Sequence, residues 1–180
     1  MSQAAPISDP VTLGFLTILQ EPTGWLGGYL VTNSWSRPLE FRLTTAVQPN
    51  RVQTALYGPT LSEYLHADLI GKTLVERTGM RPDLVVTDVP AALPLRSRID
   101  LPVVALRPRD SVPLPPNLLA FHHPRSSREL LILSRYESDQ RAACRLLDRT
   151  DPSVDLAEPF TRIREAVSEH RKLGANNRAA

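Results

Sequence analysis

The sequence predicts an α+β fold: an N-terminal antiparallel three-stranded meander, extended by further strands into a mixed sheet and packed by a central helix and two C-terminal helices. Three observations predict it. Residues 12–44 read as three strand-like runs joined by four-residue turns. Residues 50–78 and 138–173 carry apolar side chains at helical spacing. The strand-like and helix-like runs are segregated rather than strictly alternating, which favours α+β over a doubly wound parallel sheet.

Each element has a local reason. From Thr12 to Gln20 both alternating faces are apolar, Leu13, Phe15 and Leu19 on one and Leu16 and Ile18 on the other, as in an interior strand. Glu21-Pro22-Thr23-Gly24 is a turn sequence, with proline presetting φ and glycine accepting a positive one. A second strand runs from Trp25 to Thr32. In a third, Leu39, Phe41 and Leu43 alternate with Glu40, Arg42 and Thr44, giving one dry and one wet face. Asn50 is an N-cap for a short helix through Tyr57, and Gly58-Pro59 interrupts it. A longer helix is expected from Thr60 to Thr78, with Leu61, Tyr64, Leu65, Gly71, Leu74 and Val75 on its apolar arc and His66 opposite. Leu69 and Ile70 break its polar side, so it is expected to touch neighbours on more than one face.

Asp83–Thr87 and Leu101–Leu106 contain short continuously apolar strands, and the link between them holds Pro90 and Pro94, which disfavour a full crossover helix. Residues 118–123 and 128–134 read as a hairpin around Pro124-Arg125-Ser126-Ser127. A competing reading makes Ser126 and Glu129 a capping box that opens a helix. One further helix runs from Ser138 or Asp139 to Arg149. The last is capped by Asp155, buries Leu156, Phe160, Ile163 and Val167, and ends at Gly174. The expected organisation is a flexible tail over 1–11, one α+β domain over 12–173 and a frayed tail over 174–180.

The chain has 180 residues, 42% of them hydrophobic and 22% charged, enough for one continuous core and too ordinary for a disordered or fibrous chain. No apolar run approaches the ~20 residues that span a bilayer. The N-terminus shows neither a basic nor an apolar signal region, so a cytoplasmic location without membrane contact is expected. The lone Cys144 excludes an internal disulfide. Of 21 basic residues only Lys72 and Lys172 are lysine, which with the abundance of proline, alanine and leucine reads as the codon bias of a GC-rich bacterial genome. The net charge of +2 is far below that of a dedicated nucleic-acid binder.

The segments GGYLVTNSWSRPLEF, VQPNRVQTALYGPTLSEYLHADLIGKTLV and DLAEPFTRIREAV resemble those of an uncharacterised family of bacterial proteins, over residues 12–89 and 155–167. The resemblance implies a bacterial origin and a single evolutionary unit. It implies no activity, cofactor or catalytic residue.

Candidate chemistry is sparse. Gly24, Gly27 and Gly28 form a glycine-rich patch, but Gly27 and Gly28 lie in a strand pattern with no helix following, so a bulge or close backbone packing explains them better than a phosphate loop. Asp68 projects onto the apolar arc of the central helix, where Lys72 one turn later is positioned to pair with it. Asp88 ends an apolar strand, where α/β proteins often place reactive groups, although Val89-Pro90 also suits a turn. His122 and His123 are adjacent on a strand and point to opposite faces, so they do not share an ion; no metal and no cofactor is expected.

Three readings follow. The favoured one is a non-enzymatic interaction protein or accessory subunit of a bacterial cytosolic complex, with a protein partner or self-association. Its interface candidates are Trp35, Trp25 and Tyr29, crowded on the second strand and its turn. An alternative is a small hydrolase or transferase using Asp68, Asp88 and His122 or His123. Another is a nucleic-acid-associated protein gripping phosphates through Arg96, Arg98, Arg107, Arg109, Arg125 and Arg128. Interleaved Asp100, Asp110 and Glu129 dilute that field, and Phe121 is the only aromatic residue between 91 and 134.

Overall fold

A computed structural model describes residues 10–110 and 113–176, the last two by backbone alone. Strands β1 (Leu13–Glu21) and β2 (Gly24–Thr32) pair antiparallel over their whole length, through a turn in which Gly24 has φ +126°. β3 (Pro38–Leu43) completes the meander as an edge strand. β4 (Leu84–Thr87) lies parallel to β1, and β5 (Val103–Leu106) parallel to β4. The hairpin of β6 (Leu118–Phe121) and β7 (Leu130–Leu133) adds antiparallel to β5. One mixed seven-stranded sheet results, in the order β3-β2-β1-β4-β5-β7-β6. Residues 130–133 are strand and not helix: Ser126 Oγ donates to the Arg128 carbonyl and accepts from the Arg128 N–H, which ties it into the turn.

Helices cover both faces. Helix α1 (Arg51–Tyr57) opens with the expected Asn50 cap, reinforced by Gln53 as a full capping box. Helix α2 (61–77) and a 3₁₀ segment (Pro90–Ser97) pack on one side, around Leu16, Val31, Ala67, Ile70, Val85 and Leu95. Helix α3 (Ser138–Asp148) and helix α4 (Glu158–Asn176) pack on the other, around Phe15, Leu84, Val104, Ile132, Leu147 and Phe160. The two prolines expected to prevent a crossover helix leave a 3₁₀ segment instead, which carries β4 to the parallel β5. Val11, expected in the flexible tail, is 1% exposed in the second core. The rest of that tail, residues 1–9, and residues 177–180 of the C-terminal one lie outside the described residues.

Two expectations for the helices are corrected. The central helix is not α-helical throughout: Tyr64–Gly71 is a π-helical segment, with the Lys72 N–H donating to the Ala67 carbonyl. The wider turn shifts the phase of every later side chain. That accounts for the break at Leu69 and Ile70, and it turns His66, expected on the wet face, into the core. The last helix begins at Glu158, three residues beyond Asp155. Asp155 Oδ1 accepts from the Ala157 N–H at 3.0 Å, and the helix continues through Gly174 to Asn176.

Gly27 and Gly28 let both helical layers reach the sheet. A Cβ on Gly27 would collide with Ile70 of α2, and one on Gly28 would stand 2.5 Å from Ile163 of α4. Gly28→Ala therefore pushes α4 outward, with an expected loss of about 1–3 kcal/mol of stability, as overpacked cores show. Urea unfolding of the variant beside the wild-type protein measures it.

Candidate interaction surface

The β2–β3 turn, residues 33–37, presents Trp35 to solvent with 62% of its surface exposed. An exposed turn would ordinarily move, and this one is tied. Asn33 Oδ1 accepts from the N–H groups of Trp35 and Arg37, each at 3.0 Å. The Ser36 N–H donates to the Asn33 carbonyl and the Asn33 N–H to the Arg37 carbonyl. Ser36 has φ +60°, the only positive value among the described non-glycine residues, a backbone state that persists only where surroundings enforce it. The enforcing group is Arg162 of α4. Its guanidinium donates to the Ser36 carbonyl at 2.9 Å and to Ser36 Oγ at 2.6 Å, and is held in turn by Glu158 at 3.0 Å. The Asp151 N–H donates to the Ser34 carbonyl at 2.8 Å from the far side.

The strand that follows continues the surface. Phe41 pairs with Leu30 and Leu43 with Gly28, which places Phe41 and Leu43 on the α4 side of the sheet. Leu39 and Phe41 are 42% and 39% exposed. Glu40 and Arg42 face the α2 side. There the Glu40 carboxylate accepts from Arg42 Nε at 2.6 Å and from the N–H groups of Gly79 and Met80, and these contacts, the Arg42 bond foremost, hold its pKa below the usual carboxylate value. A groove of about 530 Å³ lies between β3 and the end of α2, lined by Arg42, Thr44, Thr73 and Arg77 among others. Helix α1 adds a separate apolar feature: it buries no residue, and Val52 and Leu56, one turn apart, are both strongly exposed.

The three interface candidates separate. Trp35 stands out in solvent. Tyr29 is fully buried against the α2 layer, its phenol pushed upward in pKa by that burial, so it is withdrawn from the surface. Trp25 is half-buried, with its ring edge-on to His66 at 5.1 Å.

The expected acid–base residues do not meet. Asp68 is on α2, where Arg98 grips it through two hydrogen bonds and also reaches Glu63; the predicted partner Lys72 pairs with Glu76 instead. Arg98 wins because it arrives from the neighbouring 3₁₀ segment's end and its planar fork matches a carboxylate. Asp88 is on the opposite side of the sheet, paired with Arg164 of α4. His122 is exposed beside Glu129. His123 is buried, and both its ring nitrogens are engaged: Nδ1 accepts from the Arg125 N–H, which leaves Nε2–H to donate to Asp148 at 3.1 Å. A histidine so held orients a loop and has no nitrogen left for a substrate.

The arginines are dispersed in the same way. Arg96 donates to Asp139 at 2.5 Å and stacks on Tyr136, Arg98 holds Asp68, Arg107 pairs with Glu129, and Arg125 donates to the Thr150 carbonyl and hydroxyl. Arg109 is exposed, and Arg128 is half-buried with its Nε enclosed. Among the described residues no group of histidine, cysteine and carboxylate side chains is arranged to hold a metal. The Cys144 thiol is pushed up in pKa by burial and by Asp148, the reverse of a reactive thiolate. Among the described residues no helix is long and apolar enough to cross a membrane.

No protein-family model matches the chain, and no curated protein matches it.

What sequence reasoning missed is the support for Trp35. Arg162 lies far along the chain from the turn it binds, and no local pattern links them. The signal available was Asn33, an Asx-turn residue two before the tryptophan. Arg162→Ala is expected to free the turn. In a Trp25→Phe background, the time-resolved anisotropy of Trp35 should then decay faster than with Arg162 present, while the overall fold remains.

His66 generates a pH dependence. Its Nδ1 lies 3.0 Å from Ser62 Oγ, its Nε2 is buried without a partner, and burial holds its pKa below 6.5. The unfolded chain therefore takes up a proton more readily than the folded one. The stability from neutral His66 is complete above the unfolded value and declines as pH falls from about 6.5 towards the folded value. Lowering the pH from about 7.5 to about 5.5 should depress Tm in the wild-type protein, and by less in His66→Phe.

Proposed function

We propose that the protein is a non-enzymatic interaction module, an accessory subunit that binds a protein partner in a bacterial cytosolic complex. The observation that carries the reading is the rigid presentation of Trp35. A tryptophan contributes more to an interface when the turn that carries it is already ordered, and the Arg162 bonds to Ser36 order the backbone of that turn in advance. Leu39 and Phe41 add exposed apolar side chains on β3, the strand that follows the turn. The dispersal of Asp68, Asp88, His122 and His123, each to a different partner, supports the same reading, since the acid–base set expected from the sequence has no common site. The bacterial setting is supported by the arginine-rich, lysine-poor composition and by the resemblance of three segments to bacterial proteins.

Trp35→Ala is the test. Tagged wild-type protein purified from its source cells is expected to retain a protein in fixed proportion, and Trp35→Ala to lose at least about 90% of it, the loss of one hot-spot anchor. Equal retention by the variant, or no retained protein with either, refutes the reading.

A further inference from the structure

β3 is an edge strand with one side of its backbone open. The Thr44 N–H donates to the Gly27 carbonyl, so by the alternation of an antiparallel ladder Glu40 and Arg42 direct their backbone groups to β2. Phe41 and Leu43 direct theirs outward, and among the described residues nothing pairs with them. Such an edge is a template for a further strand.

The side chains say which strand fits. Leu39-Glu40-Phe41-Arg42-Leu43, read against itself in the antiparallel sense, places Phe41 opposite Phe41, leucine opposite leucine, and Glu40 opposite Arg42 twice over. The outward N–H and C=O of Phe41 are those that a hydrogen-bonded pair on a two-fold axis requires. Apolar and charged members fall on opposite faces, so a paired edge would join phenylalanine and leucine beside α4, and opposite charges beside α2. Val31 pairs with Glu40 and Thr32 with Pro38, so Leu39 is the extra residue of an irregularity that, with Pro38, ends the regular ladder at Glu40 and confines pairing to the strand beyond it.

We propose that β3 pairs antiparallel with β3 of a second copy of the chain, about a two-fold axis through the Phe41 pair, so that two seven-stranded sheets become one. The arrangement is closed, because each copy uses the same edge. It rests on the reading of the protein as an interaction module and identifies one of its partners as itself.

The experiment combines sedimentation equilibrium with disulfide trapping on the full chain in a Cys144→Ser background. The wild-type protein is expected to dimerise with increasing concentration. Arg42→Glu, which sets carboxylates opposite each other at two symmetric positions, should weaken the dimer on the order of tenfold. Phe41→Cys should crosslink to itself under mild oxidation, since hydrogen-bonded antiparallel partners stand about 5.5 Å apart between Cα atoms, within disulfide reach. Leu39→Cys should not, because its two copies lie four residues apart along the strands. A monomer at all concentrations up to about 1 mM overturns the proposal, as does crosslinking at Leu39→Cys equal to that at Phe41→Cys. The two readings fail separately. A monomer whose Trp35→Ala variant still loses its co-purified protein removes the homodimer and leaves the module. A dimer with no Trp35-dependent partner keeps the homodimer and removes the other subunit.

Discussion

Strand β1 is the constraint on which the architecture depends. It pairs antiparallel with β2 along one edge and parallel with β4 along the other, so it joins the local meander to the rest of the chain. Phe15 on one face and Leu16 on the next are both fully buried, the former beneath α4 and the latter beneath α2. A strand dry on both faces exists only if two helical layers close on it. Gly27 and Gly28, on its partner β2, permit that closure by removing the side chains that would hold the helices away. Phe15 then meets Phe160 edge to face with ring centroids 5.7 Å apart, a contact between the start of the domain and its last helix.

That arrangement determines which surface is left over. The sheet is covered where β1, β4 and β5 run, and it thins towards β3, whose apolar residues extend beyond the reach of α4. The same helix supplies Arg162 to the turn before β3. One element thus leaves the edge uncovered and stiffens its end, so the exposed tryptophan is a consequence of how the last helix docks. The cost of holding Ser36 at positive φ is of order 1–3 kcal/mol, met by two charge-assisted hydrogen bonds from Arg162.

The charged residues have a different role. Arg96, Arg98, Arg107 and Arg164 each link segments distant in sequence through a carboxylate: Asp139, Asp68, Glu129 and Asp88. Such half-buried pairs contribute modestly to stability and more to orientation, because a planar guanidinium accepts few geometries. Each of these four guanidinium groups is directed at a carboxylate of another segment of the same chain.

Periodicity and turn chemistry made most of the fold legible. The meander, the Asn50 cap, the β6–β7 hairpin and both C-terminal helices follow from local spacing, because each is stabilised by contacts within a few residues. The π-helical segment was visible only as an anomaly at Leu69 and Ile70, since the change of hydrogen-bond register that explains it depends on how α2 meets the sheet. Asp68 was recognised as a carboxylate needing a cation, but its partner comes from 30 residues away and outcompetes the one in the same helix. The sequence by itself determined the elements, their apolar faces and the presence of a tryptophan in a turn. Tertiary structure alone decided that Trp35 points outward while Tyr29 is buried, that the four acid–base residues stay apart, and that among the described residues β3 has no neighbour on one side. The physical reason is that exposure and convergence are properties of packed layers, set by which faces meet, and a linear pattern records the faces without recording what covers them.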